Sequence, residues 1–290
     1  MWVSLAILTV LFWGTSDVIF KNVSNKGLAD EFKLLALNGT VYGLACFIFW
    51  AVSGTEINFS IILKYLPIAA MYLVSMLFYY KMLPHIKISI ASPIANSACV
   101  LTTLLCVFIL KQTVNAWQAA AIVLIVSAII TLSFDKTEQS SQAGIKDYIA
   151  GIGCAMVYFV LDGTASFLDN YILNDTLSAN EVIISYGICY FIVGVVALII
   201  AAKKSGRGKL NFGFALDWRT LSGCVLETGG QFTYVFCYAV GDAAIASPFI
   251  ASFAMVSVVL SRIFLKERLK AKQYIPVAMM LVGMFVLAIE

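Results

Sequence analysis

The sequence predicts an all-α integral membrane protein of ten transmembrane helices, arranged as two inverted five-helix repeats. Three observations predict it. Of 290 residues, 61% are hydrophobic and 12% charged, with a mean hydropathy of +0.94. Soluble domains run nearer to about half apolar and about one quarter charged. The apolar residues also fall in continuous runs of about 20, enough at 1.5 Å rise per residue to cross roughly 30 Å of hydrocarbon. Finally, the fourth and ninth runs repeat one another. Ile90-Ala91-Ser92-Pro93 recurs as Ile245-Ala246-Ser247-Pro248, and at the same offset Ser97 matches Ser252, Leu110-Lys111 matches Leu265-Lys266, and Ala116 and Gln118 match Ala271 and Gln273.

The runs and their polar punctuation predict helices near 2–21, 32–53, 60–83, 88–110, 115–134, 147–168, 181–202, 218–240, 244–265 and 271–289. None shows the period-2 alternation of a membrane barrel, so the spans are helical. The first run starts at Trp2 with no basic region before it and is followed by many others, which reads as a retained helix rather than a cleaved signal. The longest polar connectors are Asp135–Lys146 and Lys203–Leu216. Residues 1–134 thus form the first repeat, 135–146 the connecting loop and 147–290 the second repeat. Trp13-x-x-x-Asp17 parallels Tyr158-x-x-x-Asp162 and supports the same division. Because five is odd, the second copy must enter the membrane from the opposite side, the inverted-repeat arrangement that secondary transporters use for alternating access.

Charge sets an orientation. Of the 19 Lys and Arg, only Lys64 and Lys111 fall in even-numbered connections. By the excess of basic residues on cytoplasmic loops, the odd connections face the cytoplasm and both termini lie outside.

Several function classes are excluded or weakened. The net charge of +3 is small and its basic residues are scattered, so nucleic acid is not an expected partner. The seven cysteines (Cys46, Cys99, Cys106, Cys154, Cys189, Cys224 and Cys237) all sit in apolar runs without CxxC spacing, which argues for packing rather than disulfides or a metal site. No cofactor is expected, and no GxxxxGK[ST] phosphate loop is present. The lone His85 has no HExxH context, and the chain is not expected to be an enzyme. A passive channel or facilitator stays compatible with the repeat; a membrane-embedded enzyme has less to support it.

Polar residues inside the spans are the candidates for function. A carboxylate near mid-membrane costs about 2.5–3.5 kcal/mol on insertion scales, so a proton, a cationic ligand or a partner helix must offset it. Asp162, deep in helix 6, has no basic residue a turn away, and its alternatives are a structural hydrogen bond or a proton-coupling or substrate-binding role. Asp17 is its repeat counterpart, but Lys21 lies one turn on, so a local pair near the membrane surface is the competing reading. Glu227, Gln231, Tyr234 and Tyr238 share one face of helix 8, which cannot prefer lipid. Helix 3 offers the matching face Tyr72, Met76 and Tyr79 with Tyr80 beside it, and helices 2 and 7 add Asn38, Tyr42, Tyr186 and Tyr190. Such rings either mark the membrane interface or, with carboxylates, cage an organic cation at roughly 0.5–2 kcal/mol per ring. Pro93 and Pro248 each free a backbone carbonyl, at Ser89 and Ala244, for a solute or for Ser92, Asn96, Ser247 or Ser252 to satisfy. Gly39-x-x-x-Gly43 and Ala91-x-x-x-Ala95 are helix-packing spacings. His85 reads as a solvated helix end, and Arg262 and Lys266 as snorkelling side chains.

These residues resemble the EamA branch of the drug/metabolite transporter superfamily over nearly the whole chain. The resemblance rests on the Phe12-Trp13-Gly14 entry helix and on the paired Ala-Ser-Pro helices. Each of the latter runs into a Leu-Lys-Glu-Arg-Leu-like turn, Leu265-Lys266-Glu267-Arg268-Leu269 in the second half and the degenerate Leu110-Lys111-Gln112-Thr113-Val114 in the first. The resemblance implies a multi-pass protein of the cell membrane that moves a small organic solute through a cavity lined by helices 1–4 and 6–9, with helices 5 and 10 peripheral. It also implies cytoplasmic termini, against the charge count. The expected partners are a small-molecule substrate, the lipid bilayer and protons as the candidate coupling ion, with the chain acting as a monomer. The expected substrate-binding residues are Trp13, Asp17, Asn38, Tyr42, Tyr79, Asn96, Tyr158, Asp162, Glu227, Gln231 and Tyr234.

Overall fold

The computed structural model of the chain describes residues 1–25, 30–85, 95–133, 145–204, 217–265 and 274–289. Its helices are α1 (Trp2–Asn25), α2 (Glu31–Ser53), α3 (Phe59–Met82), α4 (Ala98–Phe108), α5 (Ala116–Ser133), α6 (Ile145–Asp175), α7 (Ala179–Lys204), α8 (Trp218–Val240), α9 (Ala243–Ala251), α10 (Phe253–Leu260) and α11 (Tyr274–Ile289). α9, α10 and the wide turn Ser261–Leu265 make one span, Ala243–Leu265. The described residues therefore form ten helical spans. Six are long and apolar enough to cross a membrane by themselves, and α4, α5 and α11 are shorter apolar helices. α8 has the length, 23 residues, but its polar face dilutes its hydropathy.

Local chemistry fixes many helix ends. The Asp30 and Asn58 side chains accept hydrogen bonds from the backbone N–H of Lys33 and Ile61 and start α2 and α3. Ser178 with Glu181 and Asn115 with Gln118 exchange reciprocal side-chain to backbone bonds at the starts of α7 and α5. α2 stops at Gly54, whose φ of 61° lies in the left-handed region that glycine tolerates.

Two helices depart from the predicted bounds. α6 continues to Asp175 rather than ending near 168. The residues Asp169-Asn170 read as the start of a loop, yet both are fully buried because Tyr65 of α3 and Gln112, beyond α4, hydrogen-bond them. α1 likewise runs past Lys21, which the charge count assigned to a connection. Lys21 is 4% exposed and its ammonium donates to the Leu83 carbonyl.

The helix contacts obey an exchange of halves. α2 packs most closely on α7, α1 on α8, α3 on α6 and α5 on α11, and α4 also packs on α9. Swapping first-half helices for their second-half counterparts maps these pairings onto themselves. α2 and α7 run antiparallel, since Gly39 meets Tyr190 and Gly194 while Cys46 meets Gly187. α1 and α8 do the same, with Trp2 against Gly241, Ser16 against Glu227 and Phe20 against Gly223. Gly39 and Gly43 are packing residues, as their spacing predicts, for a Cβ at Gly39 would come within 2.6 Å of the Tyr190 carbonyl. Ala95 is buried, while Ala91 lies outside the described residues.

One end of the bundle gathers Trp2, Thr55, Gln112, Asn170, Asn180 and Gly241, linked by contacts such as Asn180 to Thr55 and Gln112 to Asn170. The other end holds the Glu31–Lys204 ion pair at 3.1 Å. His85 is half-buried in the turn after α3, and the Arg262 guanidinium lies over the Tyr274 ring at 5.6 Å. The seven cysteines are all buried free thiols.

Pro248 leaves the Ala244 carbonyl without its helical partner, and the Thr103 hydroxyl of α4 donates to it at 3.3 Å. The freed group is thus satisfied across the α4–α9 contact by a residue other than the four nominated from sequence. Ser252 instead bonds the Pro248 carbonyl. Pro93, Ser92, Ser89, Lys266 and the Leu-Lys-Glu-Arg-Leu turn beyond Leu265 lie outside the described residues.

Candidate functional site

Helices α1, α3, α4 and α6–α10 enclose a central cavity of about 80 Å³. At roughly 10–15 Å³ of such space per water, it holds on the order of half a dozen waters or a small solute. Its walls carry nine of the expected site residues: Trp13, Asp17, Tyr79, Asn96, Tyr158, Asp162, Glu227, Gln231 and Tyr234. Tyr72, Met76, Tyr186, Tyr238 and Ser247, noted on the same faces, join them. None of the described lining residues belongs to α2, α5 or α11.

The two remaining residues, Asn38 and Tyr42, belong to α2 and stand behind the cavity wall. Asn38 is fully buried and its amide donates to the Tyr80 and Tyr190 hydroxyls at 2.8 and 2.9 Å. Tyr42 packs its ring against Tyr186, Tyr190 and Phe232 at 5.1–5.9 Å between centroids. The small residues that draw α2 against α7 turn this face toward α7 and away from the open space.

Three carboxylates face the cavity. Asp17 accepts hydrogen bonds from the Tyr79 hydroxyl and from Ser257 Oγ at 2.7 Å. Asp162 lies beside Tyr158, one turn before it on the same helix. Glu227 Oε2 accepts from Ser16 Oγ at 2.7 Å. Asp17 is 5% exposed, deep in the bundle rather than at a surface. No Lys, Arg or His is among the described lining residues. Ser16 on Glu227, and Tyr79 and Ser257 on Asp17, are neutral hydroxyls, which orient a carboxylate without adding charge.

Aromatic rings surround the acids. Trp13 lies 5.3 Å from Tyr234 and 5.7 Å from Phe253, and Tyr79 lies 5.4 Å from Tyr158. Two wall donors, Trp13 Nε1 and Gln231 Nε2, are buried with no hydrogen-bond partner among the described residues. The cavity thus offers anionic oxygen and ring faces to a cation, and two unused N–H groups to an acceptor.

Sequence reasoning missed Asp169. It is fully buried behind the wall, accepting from Tyr65 at 2.8 Å and from Tyr72 at 3.3 Å. Its spacing of seven residues from Asp162, with Ser166 between them, puts all three on one face of a helix that continues past 168. Reading the polar run after 168 as a loop hid that signal. Ser16, Thr102 and Ser257 were also missed, because lone hydroxyls in apolar helices usually bond their own backbone.

Comparisons with known proteins agree with this architecture. A crystal structure matches with a TM-score of 0.73 at 15% identity, covering 98% of this chain and 95% of that chain, which shows a shared fold. A search of curated protein sequences found no match. The sequence pattern of the EamA-like transporter family matches residues 1–134 and again 149–289. Matched in both halves and across almost its whole length, this multi-pass membrane chain belongs to the EamA-like transporter family of the drug/metabolite transporter superfamily.

Proposed function

We propose that the protein is a secondary transporter of the cell membrane that moves a small organic cation or zwitterion, such as an amine or an amino acid, by alternating access. The carrying observation is the cavity: Asp162 and Glu227 face one space with no basic residue among its described lining. Charge held there without water needs a compensating partner, and an ammonium group or protons meet that need. On this reading Asp162 and Glu227 hold the cationic group between them. Trp13, Tyr79, Tyr158 and Tyr234 supply ring faces worth roughly 0.5–2 kcal/mol each. The free N–H groups of Trp13 and Gln231 take a carboxylate or carbonyl on the same solute. Asn96 closes the wall, and protons are the coupling ion.

Alternating access follows from two inverted repeats, 1–134 and 147–290, joined by 135–146. The antiparallel α2/α7 and α1/α8 pairs, and contacts that survive exchange of the halves, support this. The cavity lies where the two halves meet, so rocking one half on the other opens it to either side in turn.

Thermal unfolding of purified protein against a solute panel tests the binding class. Primary amines, quaternary ammonium compounds and amino acids are expected to raise the unfolding temperature, with about 2.7 kcal/mol of stabilisation at a hundred times Kd. Organic anions and sugar phosphates are expected to have no effect. Stabilisation by anions alone would overturn the assignment.

A further inference from the structure

Asp169 has no place in the solute site just described, since it is fully buried and absent from the cavity wall. It is nevertheless wired to that wall. Its Oδ2 accepts from Tyr72, whose hydroxyl lies 2.7 Å from that of Tyr234. Tyr234 lies 2.9 Å from Ser166 Oγ, and Ser166 is 2.9 Å from Tyr238. Tyr72, Tyr234, Ser166 and Tyr238 all line the cavity. The result is an unbroken file of hydroxyls along the cavity wall whose last member, Tyr72, reaches a sequestered carboxylate.

We propose that Asp169 is a proton-holding site separate from the solute-binding acids, loaded and emptied through the Tyr238–Ser166–Tyr234–Tyr72 hydroxyl file. The proposal rests on the transporter reading for its role in the cycle, while the file itself is a matter of geometry.

Each hydroxyl has one hydrogen and two acceptor positions, so the file polarises in one direction at a time. With every hydroxyl donating toward Asp169, a hydronium in the cavity gives a proton to the Tyr238 oxygen. Tyr238 passes its own hydrogen to Ser166, Ser166 to Tyr234, Tyr234 to Tyr72, and Tyr72 to Asp169. One O–H bond breaks and one forms at every step, all four hydroxyls end neutral, and the single new charge neutralises the carboxylate. Emptying reverses the sequence. Among the described residues, the titratable groups around Asp169 are Tyr65 and Tyr72 from α3, Tyr186 from α7, Tyr234 from α8 and Asp162 on its own helix, and none of them is cationic. α4 brings the neutral Thr102 and the thiol of Cys99, and Gln112 beyond α4 bonds the neighbouring Asn170. A proton is therefore the natural partner of this carboxylate, and separating it from Asp162 and Glu227 lets solute and proton occupy the protein together.

A purely structural Asp169, bracing α3 on α6, makes a different forecast. Asp169→Asn keeps the shape and can still hydrogen-bond both tyrosines, so bracing alone predicts little change. Infrared difference spectra of the reconstituted full chain, titrated in H2O and D2O, separate the two without any solute. The expected result is a pH-dependent carboxylic acid C=O band that disappears in Asp169→Asn. In Tyr72→Phe, which leaves the carboxyl in place, the band is expected to persist while its hydrogen–deuterium exchange slows about tenfold, as for a barrier raised by one lost hydrogen bond. A spectrum that Asp169→Asn does not alter, or exchange that Tyr72→Phe does not slow, would overturn the proposal. Failure of the transporter reading looks different: the band behaves as expected, yet the wild-type chain shows no saturable solute flux.

Discussion

At the scale of the residue, the proposed function turns on Asp162 and Glu227, in a cavity with no basic residue among its described lining. Asp162→Asn and Glu227→Gln preserve size and hydrogen bonding while removing charge. Each is expected to weaken binding of an organic ammonium compound by about tenfold or more, the loss of a charge-assisted hydrogen bond worth about 1.5–3 kcal/mol. Titration calorimetry with whichever cation stabilises the wild type measures this, and unchanged affinity in both variants would remove the acids from the site. Trp13→Phe keeps a ring beside Tyr234 but removes the unpartnered Nε1 donor. It is expected to cost a zwitterion several-fold in affinity, about 0.5–1.5 kcal/mol, and a simple amine far less. Equal losses for the two would show that the N–H does not read a solute acceptor.

Much of this site was legible in the sequence. A charged or aromatic face on an otherwise apolar helix has nowhere to point but inward, which gave the faces of α3 and α8 directly. Asp169 was hidden because its helix carries a polar turn that only tertiary burial keeps helical. Asn38 and Tyr42 looked equivalent to the lining residues, since sequence does not say which of two polar faces meets a neighbouring helix and which meets open space.

At the scale of the element, the close approaches do the positioning. A Cβ on Gly187 would lie 2.4 Å from the Cβ and Sγ of Cys46, whereas one on Gly153 would meet nothing within 4 Å. Gly187→Ala is therefore expected to destabilise the fold by about 1–3 kcal/mol through overpacking. Gly153→Ala is expected to be neutral or stabilising by up to about 1 kcal/mol from helix propensity. Unfolding midpoints of the two variants in one detergent check this, and equal midpoints would mean that α2 and α7 do not approach so closely. Helix number and order could be read from run length alone. Helix ends were less legible wherever a cap or a buried polar turn decided them, as at Asp175.

At the scale of the whole molecule, contacts place Thr55 and Asn180 at one end of the bundle and Glu31 and Lys204 at the other. Single cysteines at Thr55 and Ser178 are expected to react with an impermeant maleimide from one side of sealed vesicles, and cysteines at Glu31 and Lys204 from the opposite side. The native thiols are buried and give little background. The distribution of Lys and Arg predicts that the Glu31 and Lys204 end is the cytoplasmic one, and the same labelling, in vesicles of known orientation, tests this against the cytoplasmic termini that the family resemblance implies. Labelling of all four positions from one side would break the ten-span topology on which two inverted halves depend.

Uptake into liposomes driven by an imposed pH gradient tests the transport claim most directly. Wild-type protein is expected to accumulate an organic cation or zwitterion against its own gradient, with saturable rates, and Glu227→Gln and Asp162→Asn are expected to lose that accumulation while remaining folded. Non-saturating flux that never runs uphill, or full accumulation by both variants, would contradict it.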